Sequence, residues 1–153
     1  MHDPLYRPNV CIAIRKSGTN SLLMCHRIGC SADTGWQFPQ GGIEPGADLI
    51  AEMKRELREE IGTDNVRVIA ISPFSYMYTL PQGQQNRYPK FKGQNQRWVH
   101  VEYSGSDTAI NFSYKPAEFD AFEWLNSSII LQRIVDFKYD VYRSALHDLG
   151  LLV

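Results

Sequence analysis

Cysteine is scarce in this chain. Cys11, Cys25 and Cys30 are the only three, and no two of them form a Cys-x-x-Cys pair. A small odd number without that spacing argues against a disulfide framework or a redox dithiol, so reduced thiols are expected. A zinc site built from Cys25, His26 and Cys30 is the weaker alternative. The histidines, His2, His26, His100 and His147, are scattered without the spacing of metal ligands. No apolar run approaches the ~18 residues that a membrane-spanning helix needs. The opening Met1-His2-Asp3-Pro4 lacks the charged and apolar regions of a signal peptide. These absences together lead us to expect a soluble cytoplasmic protein without a membrane partner.

Acid is also missing, but only locally. Pro4 to Ala32 contains none while holding Arg7, Arg15, Lys16 and Arg27. Asn65 to Val101 again contains none, and holds Arg67, Arg87, Lys90, Lys92 and Arg97. The net charge of −1 excludes a grossly basic nucleic-acid binder. An acidic segment between two basic ones suits an anionic ligand bridged by metal. At 153 residues, 43% hydrophobic and 22% charged, the chain can bury a core by itself. There is no repeat or linker, so the reading is a single domain over 1–153.

The acidic segment is ordered rather than merely charged. With about 100° per residue, Asp48, Glu52, Glu59 and Glu60 all fall within roughly 80° of Glu56 on a helix over Ala47 to Ile61. Ile50, Met53, Leu57 and Ile61 cluster beside them as a core face, with Lys54, Arg55 and Arg58 outside the acidic sector. Like charges four apart destabilise a helix, and Asp48, Glu52, Glu56 and Glu60 repeat that penalty. A solvated acidic face is one reading of such a helix. A row of hard oxygen ligands holding Mg²⁺ is the other, and the preceding residues favour it. Trp36-Gln37-Phe38-Pro39 reads as a short strand, Gln40-Gly41-Gly42 as a tight turn and Pro45-Gly46 as a second turn. A rigid strand–loop–helix would then bring open backbone groups close to the carboxylates.

Elsewhere, Val10 to Arg15 and Leu22 to Arg27 read as strands joined by the turn Ser17-Gly18-Thr19-Asn20. Val66 to Ile71, Phe74 to Thr79, Arg97 to Tyr103 and Phe119 to Trp124 are further strands. Pro81 to Gln96 reads as a long exposed loop, a length often associated with function. Val135 to Leu149 has apolar residues at helical spacing. Trp36 and Trp98 are read as core residues.

The spacing of Gly41 from Arg55-Glu56-Leu57-Arg58-Glu59-Glu60-Ile61-Gly62 resembles the signature box of the Nudix hydrolases. Two positions depart: the isolated glutamate of the box is Ala47, with Asp48 beside it as a partial replacement, and the final apolar position is Thr63. Tyr6-Arg7-Pro8-Asn9-Val10, Gly35 to Gly42, Gly93-Gln94-Asn95-Gln96-Arg97-Trp98, Pro116 to Asp120 and Asp136 to Tyr142 extend the likeness. They are similar to the bacterial RNA pyrophosphohydrolases and the dinucleoside tetraphosphate hydrolases.

The resemblance implies an α/β fold in which a mixed sheet is sandwiched between helices (α/β/α). It implies that Glu56, Glu59, Glu60 and Glu118, with the Gly41 carbonyl, hold Mg²⁺, with Mn²⁺ as a substitute. Glu59 or Glu56 would act as base, and Arg55 would orient a neighbouring glutamate. Arg7, Arg27 and Lys138 would lie near phosphates or the first nucleotides, and Val135 and Phe137 would sandwich a base. Arg87, Lys90 and Lys92 would assist phosphate or RNA backbone. No Ser-His-Asp or Cys-His arrangement can be argued from chain order, so direct attack by water is expected. The implied activity is removal of pyrophosphate from the 5′-triphosphate end of RNA. The alternatives are dinucleoside tetraphosphate hydrolysis, nucleoside triphosphate pyrophosphatase activity, or a non-catalytic module binding nucleotide or RNA.

Overall fold

The structure is a computed structural model describing residues 3–87, 89–114 and 116–153, without the side chains of residues 85–87. His2 and the Arg87 side chain therefore lie outside the described residues. In chain order the strands are β1 (Tyr6–Lys16), β2 (Leu22–Arg27), β3 (Trp36–Gln37), β4 (Gln40–Gly42), β5 (Val66–Thr79), β6 (Gly93–Tyr103) and β7 (Phe119–Leu125). The helices are α1 (Leu49–Ile61), α2 (Ser127–Arg133) and α3 (Asp136–Asp148).

Val10 to Ile14 form an unbroken apolar run, the pattern of a strand covered on both faces, and all five residues are fully buried. β1 is accordingly central. It pairs in parallel with β6 from Tyr6↔Gly93 to Lys16↔Tyr103. The sheet runs β3-β2-β1-β6-β5, with β4 beside β1 and β7 beside β2. Alternation along the strands sends Val10, Ile12 and Ile14 to Met53, Leu57 and Ile61 of α1. Cys11 and Ala13 face the other way, with Trp98, toward Ile130 of α2 and Val141, Tyr142 and Leu146 of α3. Helices thus cover both faces of a mixed sheet, the α/β/α arrangement that the resemblance implied.

Several boundaries differ from the sequence reading. β1 begins at Tyr6 and β6 at Gly93, because their parallel ladder orders polar residues that carry no strand signal of their own. Gln40-Gly41-Gly42 is not a tight turn. It is an extended segment paired with Asn9, Val10 and Cys11, and neither glycine has a positive φ. The second turn is where expected, with Gly46 at φ 80°. α1 starts at Leu49, two residues late, because the Asp48 side chain accepts the Ala51 N–H and caps it. The two strands read at Val66–Ile71 and Phe74–Thr79 are one, β5, with register shifts on either side of Ile71. Pro73 offers no N–H to a ladder. The Ser72 hydroxyl fills in, donating to the Phe74 carbonyl and accepting the Trp98 N–H. α2 went unread, although Asn126 caps it by accepting the Ile129 N–H.

One hydrogen bond ties the second helical layer to the strands beside the site. The buried Tyr142 hydroxyl accepts the Phe38 N–H at 3.0 Å, and its ring stacks on Phe38 with centroids 5.1 Å apart. Tyr142→Phe leaves that N–H unsatisfied, a loss of about 1–3 kcal/mol. Thermal unfolding should show a midpoint lower by several degrees, with the circular dichroism spectrum unchanged.

Candidate active site

The site forms where α1 passes over β4. Glu56 and Glu60 are one turn apart on α1 and are only 7% and 6% exposed, which is uncommon for ionisable side chains. Glu60 accepts the Gln40 N–H at 3.1 Å. Glu56 lies so close to β4 that a Cβ on Gly41 would stand 2.0 Å from its carboxyl carbon. A Cβ on Gly42 would stand 2.1 Å from the Arg7 guanidinium. Both glycines therefore leave the room that these two side-chain ends occupy, and neither is needed for backbone freedom.

A cavity of about 160 Å³ opens here. Glu56, Glu59, Glu60, Glu118 and Gly41 line it, and so do Arg7 and Arg27. Glu118 is exposed, immediately before β7, and its carbonyl accepts the Ile28 N–H. Arg27 is aimed by a β-bulge: the pairing of β2 with β7 shifts register between His26 and Arg27. Beside it, His26 Nδ1 lies 2.7 Å from Asp120 and Nε2 lies 2.7 Å from the Ser31 carbonyl. The Asp120 hydrogen bond, then the Ser31 carbonyl, raise the His26 pKa. This pair fastens the loop after β2 to β7. Cys25 points instead into the core against α1, so Cys25, His26 and Cys30 are not brought together.

A second cleft of about 450 Å³ is lined by Val135, Phe137 and Lys138, and shares Arg27 and Gln37 with the first cavity. Val135 is the residue preceding α3, and Phe137 and Lys138 lie in its first turn. Lys138 is buried and donates to Gln37 Oε1 at 3.2 Å. The Phe137 ring lies 5.8 Å from that of Tyr78 and packs partly against the core. The proposed polyphosphate and base residues therefore line two neighbouring hollows joined at Arg27.

Arg55 is not among the residues lining the cavity. It donates to Glu52 at 2.8 Å, Glu56 at 3.0 Å and Glu59 at 3.0 Å, relieving the like-charge repeats of α1. Asp48, taken in the sequence as a partial substitute for the missing box glutamate, is occupied as the helix cap. Lys90 and Lys92 do not line the cavity; from their loop it is Gln84 that reaches the second cleft. Asn9, Gln37 and Gln40 line the first cavity, and Trp36, read as core, lines the second. Uncharged amides leave no charge pattern, and only the pairing of β1 with β4 and of β2 with β3 reveals these.

Burial, followed by the opposing effects of Arg55 and Glu59, pushes Glu56 up to about 7. Burial and the charges of Glu56 and Glu118 push Glu60 well above the usual carboxylate range, against the Gln40 N–H. Buried carboxylates that repel one another gain from a cation. Among the described residues, no three His, Cys, Asp or Glu side chains are drawn together closely enough to hold a metal unaided, and Arg55 engages two of the candidates. Mg²⁺ does not require such a cage, because it keeps several waters and takes one or two carboxylates with substrate phosphates. The oxygen donors and the glycine cradle fit a divalent ion bound in that way, which Glu56, Glu59, Glu60 and Glu118 could hold together.

Two outcomes follow from this geometry. Glu56 and Glu60 bind protons more tightly folded than unfolded, so metal-free protein should lose stability as pH rises from about 4.5 to about 7 through Glu56, with Glu60 deepening the decline. Glu60→Gln should flatten that decline and raise the metal-free melting temperature by a few degrees, and added Mg²⁺ should stabilise wild type but not the variant. Gly41→Ala should displace the Glu56 carboxylate and weaken Mg²⁺ binding at least ten-fold, measured by calorimetry, while the far-UV spectrum is kept.

Comparison with known proteins agrees with the geometry. The sequence model of the NUDIX domain matches residues 5–145. The RNA pyrophosphohydrolase of Gluconobacter oxydans (strain 621H) is 36% identical over 159 aligned positions, covering 99% of this chain and 92% of its own length. That of Teredinibacter turnerae (strain ATCC 39867 / T7901) is 35% identical, covering 94% of this chain and 85% of its own. Among solved structures, the E. coli dihydroneopterin triphosphate pyrophosphohydrolase superposes with a TM-score of 0.67 at 16% identity, covering 94% and 99% of the two chains. That last likeness is one of fold. With the box carboxylates on α1, the fold and a domain match over nearly the whole length, the chain belongs to the Nudix family.

Proposed function

We propose that this chain is a Mg²⁺-dependent RNA pyrophosphohydrolase, a single Nudix domain over 1–153 acting in the cytoplasm. The observation that carries the reading is the cavity itself. Carboxylates from α1 and Glu118 line one cavity together with Arg7 and Arg27, and Arg27 also lines a cleft with Trp36 and Phe137. The bacterial relatives named above are RNA pyrophosphohydrolases. Among the described residues, no helix is long and apolar enough to cross a membrane.

In this reading Glu56, Glu59, Glu60 and Glu118, with the Gly41 carbonyl, hold Mg²⁺, which when bound neutralises phosphate charge and lowers the pKa of water. Arg7 and Arg27 hold the triphosphate through charge-assisted hydrogen bonds. Arg55 holds Glu56 and Glu59 in place. Glu59 or Glu56 takes the proton as a water oxygen bonds to phosphorus, and the phosphoanhydride bond breaks to release pyrophosphate. The RNA keeps a 5′-monophosphate. Val135 and Phe137 sandwich a base, and stacking of this kind contributes about 1–3 kcal/mol without demanding a sequence. Lys138 sits at the join between base and phosphate.

Turnover with Mg²⁺ should be greater on 5′-triphosphate RNA than on diadenosine tetraphosphate or free nucleoside triphosphates at equal concentration. Preference for the dinucleotide would instead make the chain a dinucleoside tetraphosphate hydrolase. Glu59→Gln and Glu60→Gln should each lower kcat at least about 100-fold, the upper end of what loss of a merely supporting partner costs. Wild-type turnover by either variant would overturn the mechanism.

A further inference from the structure

Behind the carboxylate cavity lies a chain of neutral amides whose polarity is set by a single indole. Trp98, fully buried, donates its Nε1–H to Gln96 Oε1 at 3.1 Å. An indole N–H can only donate, so Gln96 must offer it oxygen and direct its amide nitrogen the other way. That nitrogen donates to Asn9 Oδ1 at 3.0 Å and to Gln40 Oε1 at 2.6 Å. Both hydrogens of the Gln96 amide are thereby committed. Asn9 and Gln40 must each use their oxygen as the acceptor, which leaves their N–H groups for something else.

Both residues line the cavity that holds the carboxylates. Asn9 is 1% exposed, and its Nδ2 is buried with no hydrogen-bond partner among the described residues. Buried N–H groups in folded proteins are rarely left unpaired. Its natural partner is a group that only accepts and that enters with the ligand.

We propose that Asn9 and Gln40 are substrate-binding donors for the non-bridging oxygens of a polyphosphate, and that Gln96 is the positioning residue that fixes their polarity. The proposal rests on the reading of the cavity as a polyphosphate site. It divides that cavity by charge. The glutamates attract a cation, and the amide N–H groups take anionic oxygen. Arg7 and Arg27 supply charge, while the amides supply direction at no cost in net charge beside Glu56 and Glu60. Reversal of Gln96 would turn acceptors toward the phosphates, and Trp98 prevents it.

The test compares wild type with Asn9→Asp, which replaces the donor by an acceptor of the same shape, and Gln40→Met, which removes the second donor from a half-buried position. Steady-state kinetics on 5′-triphosphate RNA and calorimetric binding of inorganic tripolyphosphate are both measured. The expected result is a KM and a tripolyphosphate Kd raised about ten-fold or more, with the melting temperature little changed for Gln40→Met. Should Asn9→Asp not fold, Gln40→Met decides alone. Unchanged KM and Kd overturn the proposal, whether or not stability falls, because they assign the amides a structural role only. Failure of wild type to bind tripolyphosphate or turn over triphosphate RNA would instead overturn the polyphosphate reading itself, a distinguishable outcome.

Discussion

The close approach of Glu56 to Gly41 is the constraint on which the rest depends. A helix carrying buried carboxylates can settle against an extended backbone only where that backbone has no side chain in the way. α1 could otherwise still dock its Met53, Leu57 and Ile61 face on the sheet, but Glu56 and Glu60 would be pushed toward solvent. The glycine pair thus converts an ordinary amphipathic helix into one wall of a polar cavity. The same pair admits the Arg7 guanidinium from β1, so the cationic wall is set by the same sparing of atoms.

Three kinds of charged group and one neutral kind then make up the site. Arg55 draws on Glu52, Glu56 and Glu59 from outside the cavity, which keeps their repulsion tolerable without closing the cavity with an internal ion pair. Arg7 and Arg27 line the same cavity as the carboxylates and bring positive charge to it. The amides contribute direction without charge. Glu56 and Glu60 remain the most strained members electrostatically, since burial first and neighbouring carboxylates second oppose their ionisation. A folded protein keeps such groups where a ligand's charge is to be met.

Much of this was legible in the sequence wherever a period or a spacing carried it. The 3.6-residue pattern gave α1 and its acidic sector. The alternation and apolar runs gave β2 to the residue and the middle of β1. The box spacing singled out Glu56, Glu59, Glu60 and Gly41. Other features depended on pairing partners distant in the chain and left no local trace. Gln40-Gly41-Gly42 looked like a turn because two glycines suggest freedom, whereas here they provide clearance. Val66 to Ile71 and Phe74 to Thr79 read as two strands because the Ser72 hydroxyl that bridges them is a tertiary contact. Asp48 looked like a spare carboxylate because a cap and a ligand are the same residue type. Asn9, Gln37 and Gln40 bear no charge and follow no period, so only the sheet register could gather them.

The parallel ladder between β1 and β6 also governs when the site can come into being. Its pairs bring together residues 87 positions apart, as between Asn9 and Gln96. Loop closure on that scale must precede any return from the contacts it allows, and non-local pairing of this kind slows folding. During synthesis, α1 and β4 emerge long before β6 exists to hold β1 in register. The carboxylates, the arginines and the amides thus meet only after β6 has been made. Until then β1 has β2 and β4 on one edge and an open edge on the other, and an open apolar edge invites misassociation during the interval in which the site is incomplete.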